Sequence, residues 1–256
     1  MNSPYDERFY VNQRDSSRQS AEVLMPFVLD LTGARSVVDL GCGVASWLAV
    51  AKEHGVEDVL GIDGDYVDED WLRISPEEFL ARDLGGPISV ERQFDLAMSL
   101  EVAEHLPPER APSFVADLCA LAPIVYFGAA QPHQGGTDHV NERYLDYWIE
   151  LFAAEGYEFI DCIRPDFWER DISYFYSQNS ALFARPGLLP DQPRGPRMPV
   201  RAVHPVLVEC VLRPPEALRP WVRSAREMIS ALPAAARTTW HNHGHELPVV
   251  GRLTRR

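Results

Sequence analysis

Two short stretches of this 256-residue chain concentrate side chains that bind metal ions or move protons. In LEVAEHL, Glu101, Glu104 and His105 are spaced i, i+3, i+4, which puts all three on one face of a helical turn. In AQPHQGGTDHVNE, Gln131, His133, Asp138, His139 and Asn141 surround Gly135-Gly136, and flexible loops of this kind carry function. Two carboxylates and one or two imidazoles converging above a strand end form a mixed oxygen and nitrogen donor set suited to Mg²⁺ or Mn²⁺. The same residues also have a purely structural reading. The glutamates can cap the next helix and the histidine can pack beneath a ligand, since functional clusters and structural ion networks look alike in sequence.

A second group of residues suits a nucleoside. In VVDLGCG, Asp39 precedes Gly41 and Gly43, whose missing side chains let a ligand approach the backbone just ahead of a helix with free N–H groups. Asp63 stands twenty residues after Gly43, where an acid can hold a ribose diol. Asp83-Leu84 could offer a carboxylate and a backbone N–H to an adenine edge. Ser46 occupies the third glycine position of the longer dinucleotide pattern GxGxxG. With no pyrophosphate to cradle, the shorter loop suits an adenosyl sulfonium or another nucleoside.

These residues must be positioned by elements, and the pattern supplies them. Apolar runs at 36–40, 58–63, 94–100, 124–128, 157–163 and 180–184 read as strands. Segments 19–32, 45–54, 108–121 and 141–156 have helical periodicity, and 76–84 holds a short helix followed by ARDL. The first helix should face inward with Val23, Leu24, Phe27, Val28 and Leu31, and the fourth with Leu145, Trp148, Ile149 and Phe152. Strand and helix alternate from 36 to 163, as in an α/β parallel, doubly wound sheet. In such sheets ligands bind at the carboxyl ends of the strands. Residues 186–205 contain six prolines and read as a linker or a surface-hugging extended segment.

VVDLGCGVASWL, GIDGDYV, RDL and FDLAMSLEVAEHL together resemble the motif series of class I S-adenosylmethionine-dependent methyltransferases, over roughly residues 36–185. The resemblance implies a Rossmann-like seven-stranded, mostly parallel sheet whose last strand is antiparallel. It implies that Asp39, Gly41 and Gly43 flank the methionine part, that Asp63 binds the ribose hydroxyls and Asp83 with Leu84 the adenine, and that Gly64 and Leu100 are further cofactor contacts. Ala45 replaces the last glycine of the usual GxGxG loop. The ExxEH segment is similar to that of two metal-dependent groups, the small-RNA 3′-end 2′-O-methyltransferases and the ubiquinone-pathway O-methyltransferases. That likeness makes Glu101, Glu104, His105 and His139 metal ligands, and a cation there would lower the pKa of a substrate hydroxyl. His105, His133 and His139 are the candidate catalytic bases.

YDERFY, SLEVAEHLP, QGGTDHVNERYLDYWIELFAAEGY, IRPDFW and FYSQN resemble a bacterial methyltransferase group of cell-surface sugar and natural-product pathways. This implies O-methylation of a sugar or small hydroxylated metabolite. His133 and Asp138 stand where that group is expected to have glycines. The competing reading from another class is a cofactor-fold scaffold that does not methylate. Phe167, Trp168, Tyr174, Phe175 and Tyr176 read as a lid or as sheet-edge packing, with packing favoured. Tyr5, Phe9 and Tyr10 suggest an N-terminal flap, and Arg14 a contact for the methionine carboxylate or a solvated arginine.

The formal charge is -14, but it is divided. Residues 186–256 hold 11 Arg against one Asp and four Glu, a net of +6, which leaves -20 on residues 1–185. So acidic a body argues against nucleic acid, including the RNA substrate of the metal-site relatives. The segments are then 1–35 (flap and helix), 36–185 (methyltransferase domain), 186–205 (linker) and 206–256 (basic helical extension). Residues 215–232 are amphipathic and suit packing on the acidic body, a homodimer contact, or an anionic membrane surface. His241, His243 and His245 resemble a metal tract in a terminal tail. The four cysteines form no CxxC pair and read as buried small hydrophobes. The polar start and the lack of a long apolar run suggest a cytoplasmic protein.

Overall fold

The computed structural model describes residues 7–212. Strands β1 (Ser36–Leu40), β2 (Asp58–Asp63), β3 (Phe79–Ala81), β4 (Leu96–Leu100), β5 (Ile124–Gly128), β6 (Glu158–Ile160) and β7 (Ala181–Ala184) build one seven-stranded sheet. Its order is β3-β2-β1-β4-β5-β7-β6, parallel except where β7 runs antiparallel to both β5 and β6. This is the Rossmann-like, mostly parallel seven-stranded sheet that the motif resemblance implies, with the last strand antiparallel as expected. Strands β4 (LAMSL) and β5 (IVYFG) are buried along their whole length, which explains their unbroken apolar runs.

Helices cover both faces: α1 (Glu7–Thr32), α2 (Ser46–Glu53), α3 (Ala111–Leu121), α4 (Leu145–Ala154), α5 (Arg164–Phe167) and α6 (Tyr174–Asn179). One apolar layer joins α1, α2 and α6 to the sheet through Leu24, Met25, Val28, Trp47 and Tyr176. The other joins α3 and α4 through Phe114, Leu118, Trp148 and Phe152. In α1 the buried stripe is Ala21, Leu24, Met25 and Val28, whereas Val23, expected inside, is 38% exposed. The i, i+3, i+4, i+7 rule is kept but rotated by one residue. The helix also begins at Glu7 rather than near residue 19, through a polar stretch with no apolar repeat to announce it.

Strand β3 had no sequence signal of its own, because three residues on a sheet edge are too few for a period. The stretch 157–163 shortens to Glu158–Ile160, and α5 and α6 follow it. Phe167 and Tyr176 are buried, Phe167 against Phe27 and Tyr176 against Trp47, so these two aromatics pack the core. The proline-rich stretch hugs the β6 edge. Asp161 accepts the Arg197 N–H at 2.9 Å, and buried Arg164 donates to the carbonyls of Met198, Pro199 and Val200.

The chain divides into two units at Pro205, where α7 (Pro205–Leu212) begins. The side chains of Tyr5, Phe9, Tyr10 and Arg14, the amphipathic segment 215–232 and His241, His243 and His245 lie outside the described residues. No helix among the described residues is long and apolar enough to cross a membrane. Cys42, Cys119 and Cys162 are free and buried.

Candidate functional site

The carboxyl edge of the sheet gathers nearly all the candidate residues. After β1 the chain turns at Gly41, whose φ is +88° and whose missing Cβ would lie 2.3 Å from Val102. Any side chain there would strain the backbone and collide with the β4 turn. The Gly41 N–H bonds back to Ile62 at 2.8 Å. Ala45, the residue replacing a glycine, adopts φ 60°, ψ 37°, and so retains the left-handed conformation that glycine would hold without strain.

Asp63 ends β2 as the hub of this turn. Its Oδ2 accepts the Gly43 N–H at 2.7 Å, and its Oδ1 accepts the Gly64 N–H at 2.7 Å and the Tyr66 hydroxyl at 2.5 Å. The Tyr66 ring sits over Gly64, where a Cβ would approach within 2.1 Å. Asp63, Gly64, Tyr66, Asp83, Leu84, Gly41, Gly43, Glu101 and His105 all line one cavity of about 680 Å³. That volume falls in the usual range for small-molecule and cofactor sites.

A smaller cavity of about 80 Å³ abuts it, sharing Gly41, Gly43 and Glu101 and adding Asp39, Ser17, Trp47, Leu100 and Tyr176. Asp39 is buried, and burial together with the nearby Asp63 charge pushes its carboxyl up to about 8. Asp39 is therefore largely neutral at neutral pH.

Beyond β4 the chemistry changes. Glu101 has φ 58°, unusual for a residue with a side chain. Its carboxylate accepts the Gln134 amide at 2.5 Å and the Asn179 amide at 2.9 Å, tying the loop after β5 to α6. Glu104 and His105 follow in a 3-10 turn, Ala103–His105. Glu104 is fully buried and neither carboxylate oxygen makes a hydrogen bond, so burial raises its pKa well above the ordinary range. The backbone N–H groups of Glu104 and Ala130 oppose that rise.

His105 and His139 meet edge to face with ring centroids 4.8 Å apart. Burial, and then the neighbouring His139, lowers the His105 pKa. Glu104, His105 and His139 can each bring one ligand atom within 4.8 Å of the others. Three of the four expected metal ligands thus converge, while Glu101 stands outside that group, engaged by Gln134 and Asn179.

The loop itself is held by Glu142, which sequence reasoning missed. Its carboxylate accepts the backbone N–H of His133 at 2.9 Å and of Gly135 at 2.8 Å, and contacts His139 Nδ1 at 3.0 Å. Its only signal is an acid three residues after His139. His133, a candidate base, has an exposed side chain, and what bonds to Glu142 is its backbone. His133 (φ 75°) and Asp138 (φ 59°), at the two expected glycine positions, both adopt left-handed backbone. At Gly136 a Cβ would fall 2.2 Å from His139 Nε2, so a side chain there would displace the His139 ring. Asn179 was also missed. Its signal is the polar run Ser177-Gln178-Asn179-Ser180, all buried, just ahead of apolar β7.

A family model described as a methyltransferase domain matches residues 11–170. No curated protein matches the sequence. Among solved structures, the sugar N-methyltransferase KedS8 from Streptoalloteichus sp ATCC 53650 is similar at 16% identity and a TM-score of 0.53, over 72% of this chain and 97% of that one. DesVI of Streptomyces venezuelae is similar at 13% and 0.51, over 70% and 96%. The methyltransferase domain of bacterial CtHen1-C is similar at 22% and 0.50, over 65% and 97%. At these identities the likeness speaks for the fold. With the family model spanning most of the strand-and-helix region, the chain belongs to the methyltransferase-domain family of enzymes.

Proposed function

We propose that this chain is an S-adenosylmethionine-dependent O-methyltransferase acting on a hydroxyl of a sugar or a small hydroxylated metabolite, assisted by a divalent cation. The observation carrying the reading is the pair of abutting cavities. Asp63, Asp83 and Leu84 line the larger one, Asp39 and Leu100 the smaller one, and Gly41, Gly43 and Glu101 line both. A nucleoside fits the first and an amino-acid tail the second, which brings the sulfonium to the shared wall beside Glu101.

The donor supplies a methyl group as an electrophile on positive sulfur. Asp63 would bind the ribose diol, a hydroxyl of which replaces the Tyr66 phenol on Oδ1. Asp83 and the Leu84 N–H would read adenine. The donor set at Glu104, His105 and His139 fits a cation. It combines a carboxylate with both oxygens unpartnered, the unpartnered His105 Nδ1 and a second imidazole, all buried or half-buried. A bound Mg²⁺ or Mn²⁺ would polarise the acceptor hydroxyl. Where no cation is bound, one of the two imidazoles would accept the hydroxyl proton as the methyl passes from sulfur to the hydroxyl oxygen, the sulfur–methyl bond breaking to leave a neutral thioether.

A sugar acceptor draws support from the motif likeness and from the sugar N-methyltransferase among the structural neighbours. The test is calorimetry with S-adenosylhomocysteine, followed by mass spectrometry of hydroxylated sugars incubated with protein and donor, with and without chelator. A mass gain of one methyl that chelator prevents supports the reading. Absence of nucleoside binding overturns it.

A further inference from the structure

We propose that Arg110 is a positioning residue that sets the adenine selectivity of the larger cavity, an inference that rests on the cofactor reading above. Arg110 closes the 3-10 turn Pro108–Arg110 at the start of α3, and its side chain is buried. Its guanidinium reaches back to the loop after β3. Nε donates to the Leu84 carbonyl at 3.0 Å and Nη2 to the Gly86 carbonyl at 2.7 Å. The other face of the fork is itself anchored. Nη2 meets Asp117 Oδ2 at 2.5 Å and Nη1 donates to Ser113 Oγ at 2.7 Å. Asp117 Oδ2 also accepts the Ile88 N–H at 2.9 Å, so the loop is gripped from both of its ends.

The gripped segment is the wall that would read the base. Asp83, Leu84 and Gly85 line the cavity, and Asp83 Oδ1 accepts the Gly85 N–H at 2.9 Å. Gly85-Gly86 gives this stretch a large backbone entropy, and a loop so free presents its N–H groups in many directions. A planar guanidinium holding two carbonyls at fixed separation removes that freedom, and an ammonium cannot copy the fork. Arg110 touches no ligand. It acts through the direction of the Asp83 carboxylate and the Leu84 N–H.

Adenine and hypoxanthine differ at the edge those two groups would meet: adenine offers an amino donor and an acceptor nitrogen, hypoxanthine a carbonyl and an N–H. Misdirecting the loop therefore costs discrimination, whereas a merely destabilised fold lowers affinity for both nucleosides alike. The experiment is calorimetry of wild type, Arg110→Lys and Asp117→Asn with S-adenosylhomocysteine and S-inosylhomocysteine, with donor KM and kcat measured alongside. Arg110→Lys is expected to lose about tenfold in S-adenosylhomocysteine affinity. It should also narrow the adenosyl-to-inosyl preference at least about threefold, with the kinetic loss carried mainly by KM. Asp117→Asn keeps the shape, should lose selectivity in the same direction, and carries the test if the arginine variant is recovered unfolded. An unchanged preference, or equal loss for both nucleosides, overturns the inference while leaving the cofactor reading intact. A wild-type protein that binds neither nucleoside overturns both.

Discussion

The two halves of the sheet's carboxyl edge are built on opposite terms. On the β1–β3 side nearly every polar group already has a protein partner: Asp63 takes three donors, and the Asp83–Gly86 loop is clamped from behind. On the β4–β5 side Glu104 Oε1 and Oε2, His105 Nδ1, Gln131 Nε2 and Asn141 Nδ2 are buried without one. The exceptions on the first side include Ser46 Oγ, which lacks a partner, and Asp39, which is neutral rather than paired. Backbone strain divides in a similar way. The first side turns largely on glycine, while the second holds Glu101, His133 and Asp138 at positive φ. Unsatisfied buried groups and strained non-glycine residues both cost stability and persist chiefly where function needs them. The difference teaches that a pocket wall whose polar groups are mostly paired lies beside a region where several buried polar groups lack partners.

The largest effect should come from breaking the preformed side. Asp63→Ala removes the acceptor for three donors and should lower S-adenosylhomocysteine affinity about 100-fold or more, read by calorimetry. Near-native affinity would show that the hub is only structural. The unsatisfied side should respond to a cation instead. Saturating Mn²⁺ should raise the Tm of the wild type by about 5 °C and leave Glu104→Gln unmoved. An equal rise in both would remove the cation from Glu104.

Asp39 tests the exception. Its folded value of about 8 lies above the ordinary 3.8, so the folded state holds a proton that the unfolded chain releases. Stability is then present in full below the ordinary value and is lost as pH rises through the folded one. Asp39→Asn removes that slope, and its Tm should exceed wild type by about 5 °C at pH 8 while matching it near pH 4. A constant difference across pH would place the carboxylate charged in the fold. The smallest effect is expected at His133→Gly, which relieves left-handed strain and should add about 1–2 °C while keeping turnover within about twofold. A tenfold loss would give the exposed imidazole a chemical role.

Sequence was most informative where local chemistry and fold agree. The glycines at 41 and 43, Asp63 and the ExxEH turn could be placed because strand ends are announced by apolar runs stopping at small or acidic residues. Even the departures were legible: the glycine-like conformations of Ala45, His133 and Asp138 occupy the positions where glycine was expected. The rest depends on tertiary pairing. Glu142 and Asn179 act through residues brought near only by the closed loop and by β7, and Arg110 acts across 24–26 positions on carbonyl groups, which carry no side-chain signature. Separating Glu101 from the cluster of Glu104, His105 and His139 likewise required knowing which partners reach it.

The insertion of β7 between β5 and β6 bears on how the protein is made. One of the two amides that hold Glu101 comes from Asn179, 78 residues later and just ahead of β7. Contacts of such sequence separation form late, because loop closure must precede them. Synthesis runs from the N-terminus, so β1 to β3 and their hydrogen-bonded hub can assemble while the strand that delivers Asn179 is still being translated. Nascent chains should therefore complete the edge proposed to bind the donor before the edge proposed to carry the chemistry, and a chain arrested before residue 179 would lack the Asn179 amide on Glu101.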